Sequence, residues 1–151
     1  MKEVRLIEKL YKIQSVMLFL VGIGALFGGM LAISDPYGAS YGMPIETLRR
    51  SPFTSFLVPG LFLFFIIGVG HLISFIAVKR KMKFHTYISG GEGCILMAWI
   101  LIQCYILQSI HFLHITFFII GFLESVIALY IIYKLKLFPY KSQGEKREKY
   151  L

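Results

Sequence analysis

Charge of either sign is missing from most of this chain. Charged residues fill 16% of its 151 positions, where a soluble domain carries about a quarter. Acidic residues are the scarcest, numbering 8 against 16 Lys and Arg. Cysteine is nearly absent too. Cys94 and Cys104 form no Cys-x-x-Cys pair, which excludes thiol exchange of the usual kind. Ten residues apart in one helix, they would stand about 15 Å from each other, too far to bridge. They read as small packing residues. No serine, threonine or cysteine stands at a defined spacing from a base, and no metal or nucleotide motif occurs. The sequence therefore assigns no catalytic residue and no cofactor.

The formal net charge of +8 does not point to nucleic acid. The basic residues sit in short clusters beside apolar blocks, and no folded basic face is left to present a groove-reading element.

Apolar blocks are what the chain has in quantity: 57% of residues are hydrophobic and the mean hydropathy is +0.72. Four blocks of about 20 residues match the length that spans a hydrocarbon core of roughly 30 Å. They predict an all-α polytopic membrane protein, a four-helix transmembrane bundle with spans at about 13–34, 57–78, 88–108 and 112–133. One membrane domain accounts for the whole chain, with a basic tail over 134–151. The first span is expected to stay uncleaved, since Met30-Leu31-Ala32 makes a poor signal-peptide site. Ahead of it, charged residues from Lys2 to Lys12 form an amphipathic segment suited to the membrane surface.

Lys and Arg fix the expected orientation. Four precede the first span, four lie in the second loop and six in the tail, while the first loop has two and the third none. That imbalance predicts both termini in the cytoplasm. The first loop, residues 35–56, is then outside. Pro44 opening Ile45-Glu46-Thr47-Leu48, and Ser51-Pro52 beyond, predict a short helical or capped outer loop. In the first span, Gly24 and Gly28 form a small-xxx-small pair, as do Ala25 and Gly29. Such pairs serve close helix packing, either on Gly68 and Gly70 of the second span or on another copy of the chain.

Two acidic residues, Glu92 and Glu124, fall within spans, where an ionisable side chain costs several kcal/mol unless paired, neutralised or facing water. Counting inward from the ends brings Glu92 within reach of His71 or Ser74, and sets Glu124 level with Met97 to Trp99. Helical phase puts Glu92, Trp99 and Gln103 on one stripe. A polar seam results: His71, Ser74 and Glu92, then Glu124, then Gln103, then His111 and His114 at the outer rim. It is either a proton or ion relay or ligand-binding lining, or hydrogen-bonding glue between helices. Glu92, near the span's end, also reads as a cap for the Gly-rich helix start. His111 and His114, three apart, are weak metal candidates, with only Asp35 or Glu46 for a third ligand, and read first as interfacial histidines.

Met43-Pro44-Ile45-Glu46-Thr47-Leu48, with Ser51-Pro52-Phe53 and Pro59-Gly60-Leu61 after it, resembles a segment of small, uncharacterised bacterial four-span proteins. Gly91-Glu92-Gly93 and Trp99-Ile100 with Gln103 are similar as well. The resemblance covers roughly residues 20–130. It implies a four-helix membrane fold in a bacterial cell membrane and brings no activity.

The leading expectation is a non-enzymatic accessory subunit, or a bundle binding a lipid-like ligand. The partners are the lipid bilayer and either another membrane protein or a second copy through Gly24 and Gly28. The rival is a small proton-linked transporter or channel using Glu124 and Glu92. More distant is an intramembrane enzyme acting on a lipid or quinone.

Overall fold

The computed structural model describes residues 2–137. Among them every regular element is helical, and four helices are long and apolar enough to cross a membrane. They are α1 (Lys2–Ser34), α2 (Leu57–Lys79), α3 (His85–Leu107) and α4 (Phe112–Lys134). The tail expected at 134–151 falls outside the described residues from 138 onward.

The helices pack in chain order, with α1 against α2 and α3 against α4 as the extensive pairs. Contacts of α2 with α3, and of α1 with α4, are sparser. One end of the bundle, the loop end, carries the long α1–α2 connection and the α3–α4 hairpin. The other, the turn end, carries the start of α1 and the α2–α3 turn. That turn is tight: Lys81 takes φ 48° while Lys81 and Met82 donate back to the Val78 and Ala77 carbonyls. At the hairpin, Gln108 ends α3 at φ 50°.

Polarity inside and outside is reversed relative to a water-soluble bundle. Phe27, Phe65, Leu101, Phe122 and Leu129 are exposed, whereas Gln14, His71, Ser74, Thr86, Ser89 and Glu124 are fully buried. Lipid accepts the first group and demands the burial of the second.

Two expectations about helix starts are corrected. Residues 2–12 do not form a separate surface segment; they are the first three turns of α1, which runs unbroken for 33 residues. Nothing in that stretch breaks a helix, so it propagates to about 50 Å, longer than a hydrocarbon core. α3 begins at His85, ahead of the glycines at 90, 91 and 93. Glu92 thus lies in the third turn of a running helix and caps no helix start.

Small residues hold α1 to α2. A Cβ on Gly29 would meet the Phe64 backbone nitrogen at 2.7 Å, one on Gly68 the Leu26 nitrogen at 3.0 Å, and one on Gly60 the Ala32 Cβ at 2.7 Å. Gly24 has no such neighbour: its nearest is Phe117 Cζ at 3.9 Å. The connection folds over the loop end through two 3-10 turns, Ala39–Tyr41 and Ile45–Leu48. Leu48 and Phe56 bury against Ile106, forming a second small core.

Candidate functional site: a buried imidazole between two carboxylates

The centre of α2 departs from α-helical geometry. Phe62–Val69 is wound as a π-helix, flanked by α-helical Leu57–Leu61 and Gly70–Lys79. The looser winding holds an additional residue per turn and resets the phase of all that follows. His71 is the second residue after it and points inward with no exposure. Its Nδ1 lies 2.8 Å from the carbonyl oxygen of Ile67, the last turn of the π-helical stretch.

Glycines bring the partners within reach. Glu92 on α3 lies against Gly70, where a Cβ would come 2.6 Å from Glu92 Oε1. On the other side, α3 and α4 touch backbone to backbone: a Cβ on Gly93 would lie 2.6 Å from the Gly121 oxygen, and one on Gly121 2.8 Å from the Gly93 oxygen. Glu124 enters at this level, its Cβ beside Gly93. It sits one helical turn nearer the turn end than the expected level of Met97 to Trp99. The glycine contact, not the length of the hairpin, sets the α3–α4 register.

Together these residues form a triad. His71 Nδ1 is 3.2 Å from Glu92 Oε2, and His71 Nε2 is 3.3 Å from Glu124 Oε2. One imidazole thus bridges two carboxylates on different helices. Glu124 is fully buried, and the Glu92 side chain keeps 13% of its surface. The approaches are ion-pair contacts rather than aligned hydrogen bonds: both Glu124 oxygens, Glu92 Oε2 and His71 Nε2 have no hydrogen-bond partner. Ser74, one turn along α2, is equally buried and its hydroxyl is unpartnered. Of the two contacts expected for Glu92, the one with His71 forms.

The rest of the expected seam parts from the triad. Trp99 stacks on Phe62, with ring centroids 4.5 Å apart, and its Nε1 has no partner. Trp99, Gln103, His111 and His114 line a cavity of about 690 Å³ in the loop half, beside Gly24 and Gly28 of α1. Its walls are otherwise mostly apolar, and the connection at Met43, Pro44 and Thr47 closes one side. Ile67 borders both cavity and triad, lining the first with its side chain's residue position and facing His71 with its carbonyl.

The two outer histidines serve the hairpin. His114 Nδ1 accepts the His111 backbone N–H at 3.1 Å, and His111 Nε2 contacts Ser109 Oγ at 3.1 Å. Asp35 turns to its own loop, accepting the Ser40 N–H at 2.6 Å. That bond holds its carboxyl below the usual carboxylate range. Among the described residues, no three His, Cys, Asp or Glu side chains come together in a metal-holding group.

A polar layer on the turn side of the triad was not anticipated. Gln14 of α1 is fully buried and its Nε2 donates to Ser89 Oγ at 2.9 Å and to the Glu124 carbonyl at 3.3 Å. Ser89 donates to the Thr86 carbonyl at 3.1 Å. The signal was present in the sequence: Gln14 shares a stripe with Leu18, Val21 and Gly22, the face that α1 buries. Beside Lys12 it reads instead as the polar flank of a span. Chemically, the assembly can hold protons at three adjoining groups and offers an apolar pocket next to them. Comparison with protein families, with known proteins and with solved structures found no match for this chain.

Proposed function

We propose that this chain is a non-enzymatic membrane protein that holds a lipid-like ligand in the cavity of its loop half. The supporting observation is the cavity itself, about 690 Å³ and mostly apolar, with Gln103, Thr47, Ser109 and two histidines at its borders. Pockets for small amphiphiles have that size and that mixture. Gly24 and Gly28 support the reading, because they border the cavity instead of seating a neighbouring backbone. The basic residues at the turn end favour an orientation with both termini cytoplasmic, which places the cavity in the outer leaflet of a bacterial cell membrane.

Native mass spectrometry on gently extracted protein tests this. The wild-type chain is expected to carry an amphiphile, and Gly24→Phe, whose added side chain has room at its base, is expected to lose it while remaining folded. A bare wild-type chain, or equal loading of the variant, overturns the reading.

The triad favours a second reading, a small proton-linked transporter using Glu124 and Glu92. Two carboxyls and an imidazole in contact form a group whose charge changes with each proton, and such groups inside membranes serve relays. Flux in proteoliposomes that requires a pH gradient and is abolished in Glu124→Gln would favour it over a passive binding protein.

A further inference from the structure

The triad's buried hydroxyl and amide neighbours lie toward the turn end, and these suggest how it communicates with water. From α1 it is approached by Gln14, from α2 by Ser74, from α3 by Ser89 and Thr86, and from α4 by Ser125, all buried. At the turn end, Tyr11 and His85 contact each other at 3.0 Å between hydroxyl and Nε2. Thr86 follows His85 directly, Ser89 stands one turn deeper, and Gln14 joins Ser89 to the main chain of Glu124. In the opposite direction lie Leu96, Ile67, Ala25 and Ile100, an apolar core that also holds Trp99 with its unpartnered Nε1.

Within that polar file, three oxygens have no partner among the described residues: Gln14 Oε1, Thr86 Oγ1 and Ser74 Oγ. Unpartnered acceptors and hydroxyls in a buried layer are costly unless water visits them. A structural glue would spend these groups on one another. Here Gln14 spends only its amide hydrogens, and Thr86 presents a hydroxyl that bonds nothing among the described residues.

We propose that Glu124, His71 and Glu92 form a proton-binding site that exchanges with water at the turn end through Thr86, Ser89, Gln14 and Ser74. It rests on the reading in which the triad carries exchangeable protons, and it adds the route and its direction. Charge counting fixes the resting occupancy. Two ionised carboxylates and a neutral imidazole carry two negative charges, so the uncharged triad that a membrane interior favours holds two added protons. Transfer across it is balanced. Glu92 first releases its proton toward the turn end. Protonated Glu124 then gives its proton to His71 Nε2 while the Nδ1 proton, held against the Ile67 carbonyl, passes to the emptied Glu92 carboxylate, and the imidazole ends neutral as it began. The net result is one proton moved from Glu124 to Glu92.

The test is infrared spectroscopy of the purified protein in liposomes after mixing with deuterated buffer. A protonated-carboxyl band present in the wild type and missing in Glu124→Gln would show that the triad carries the proton; its presence unchanged in that variant refutes the underlying reading. The route is tested separately with Thr86→Val and Gln14→Leu. Thr86 Oγ1 has no partner among the described residues, so valine keeps the shape and loses no hydrogen bond to them. Deuterium exchange of the band is expected to slow about tenfold in each variant with the band itself retained. Wild-type exchange rates in Thr86→Val, with the Glu124 band intact, overturn the route and leave the proton site standing.

Discussion

At the scale of residues, His71 is the side chain on which most depends. It meets two carboxyl groups from one ring, and among the described residues no other ion pair reaches either of them. Removing it strands Glu124, fully buried, beside Glu92. Leaving a buried polar group without its partner costs about 1–3 kcal/mol, so His71→Leu is expected to lose that much in a detergent unfolding titration. Adding Glu124→Gln to it should restore part of the loss; strictly additive losses would show that the two residues do not interact. Asp35 permits a pH prediction. Its folded carboxyl lies below the ordinary 3.8. The contact with the Ser40 N–H is therefore present above that value and lost as pH falls through the lower folded-state value. Hydrogen exchange at the Ser40 amide should lose protection over that acid range, and in Asp35→Asn the protection should be independent of pH. Both glutamates and His71 could be singled out from sequence because an ionisable residue in an apolar block is conspicuous, and Ser74 because counting along the spans sets it opposite Glu92. Gln14 and Thr86 could not, because polar residues near the ends of a span are ordinary.

At the scale of elements, glycine decides which helices touch. Gly29 and Gly24 sit on one helix five residues apart and differ in what a methyl group would meet: the Phe64 backbone at 2.7 Å for the first, open space to 3.9 Å for the second. Gly29→Ala is thus expected to destabilise by about 1–3 kcal/mol, the cost of overpacking, and Gly24→Ala by much less, measured side by side in the same unfolding titration. Equal effects would mean that α1 and α2 do not close as described. The four long helices were legible because apolar blocks of span length have one common solution in lipid. The register of α3 on α4 was not. Counting residues from a hairpin assumes that both helices leave it level, and the Gly93–Gly121 contact displaces Glu124 by a turn. The π-helical winding of α2 was also illegible, since eight apolar residues in a row carry no periodic signal.

At the scale of the whole molecule, the interior is divided between a polar layer toward the turn end and an apolar cavity toward the loop end. The connection closes the cavity end, with Arg50 Nη1 donating to Gln108 Oε1 at 3.1 Å across to the α3–α4 hairpin. Under the proposed orientation, a single cysteine introduced at Glu46 is expected to react with an impermeant maleimide in intact cells, and one at Lys83 only after permeabilisation. The reverse pattern would invert the bundle and turn the polar layer outward. Sequence reasoning expected one continuous seam; the structure breaks it, because Trp99 and Gln103 continue up α3 past the apolar contacts of Leu96 and Ile100 while the two glutamates stay with His71.

The π-helical stretch gives α2 a tolerance in chain length that a regular helix lacks. Swapping one apolar residue for another between Phe62 and Val69 alters little in the hydropathy of the span. Deleting one of them can be offset by a return to regular winding, which carries each remaining residue further around the axis and leaves His71 near its facing, whereas an inserted residue has no such compensation. Variation in this segment should accordingly admit single-residue gaps before single-residue insertions.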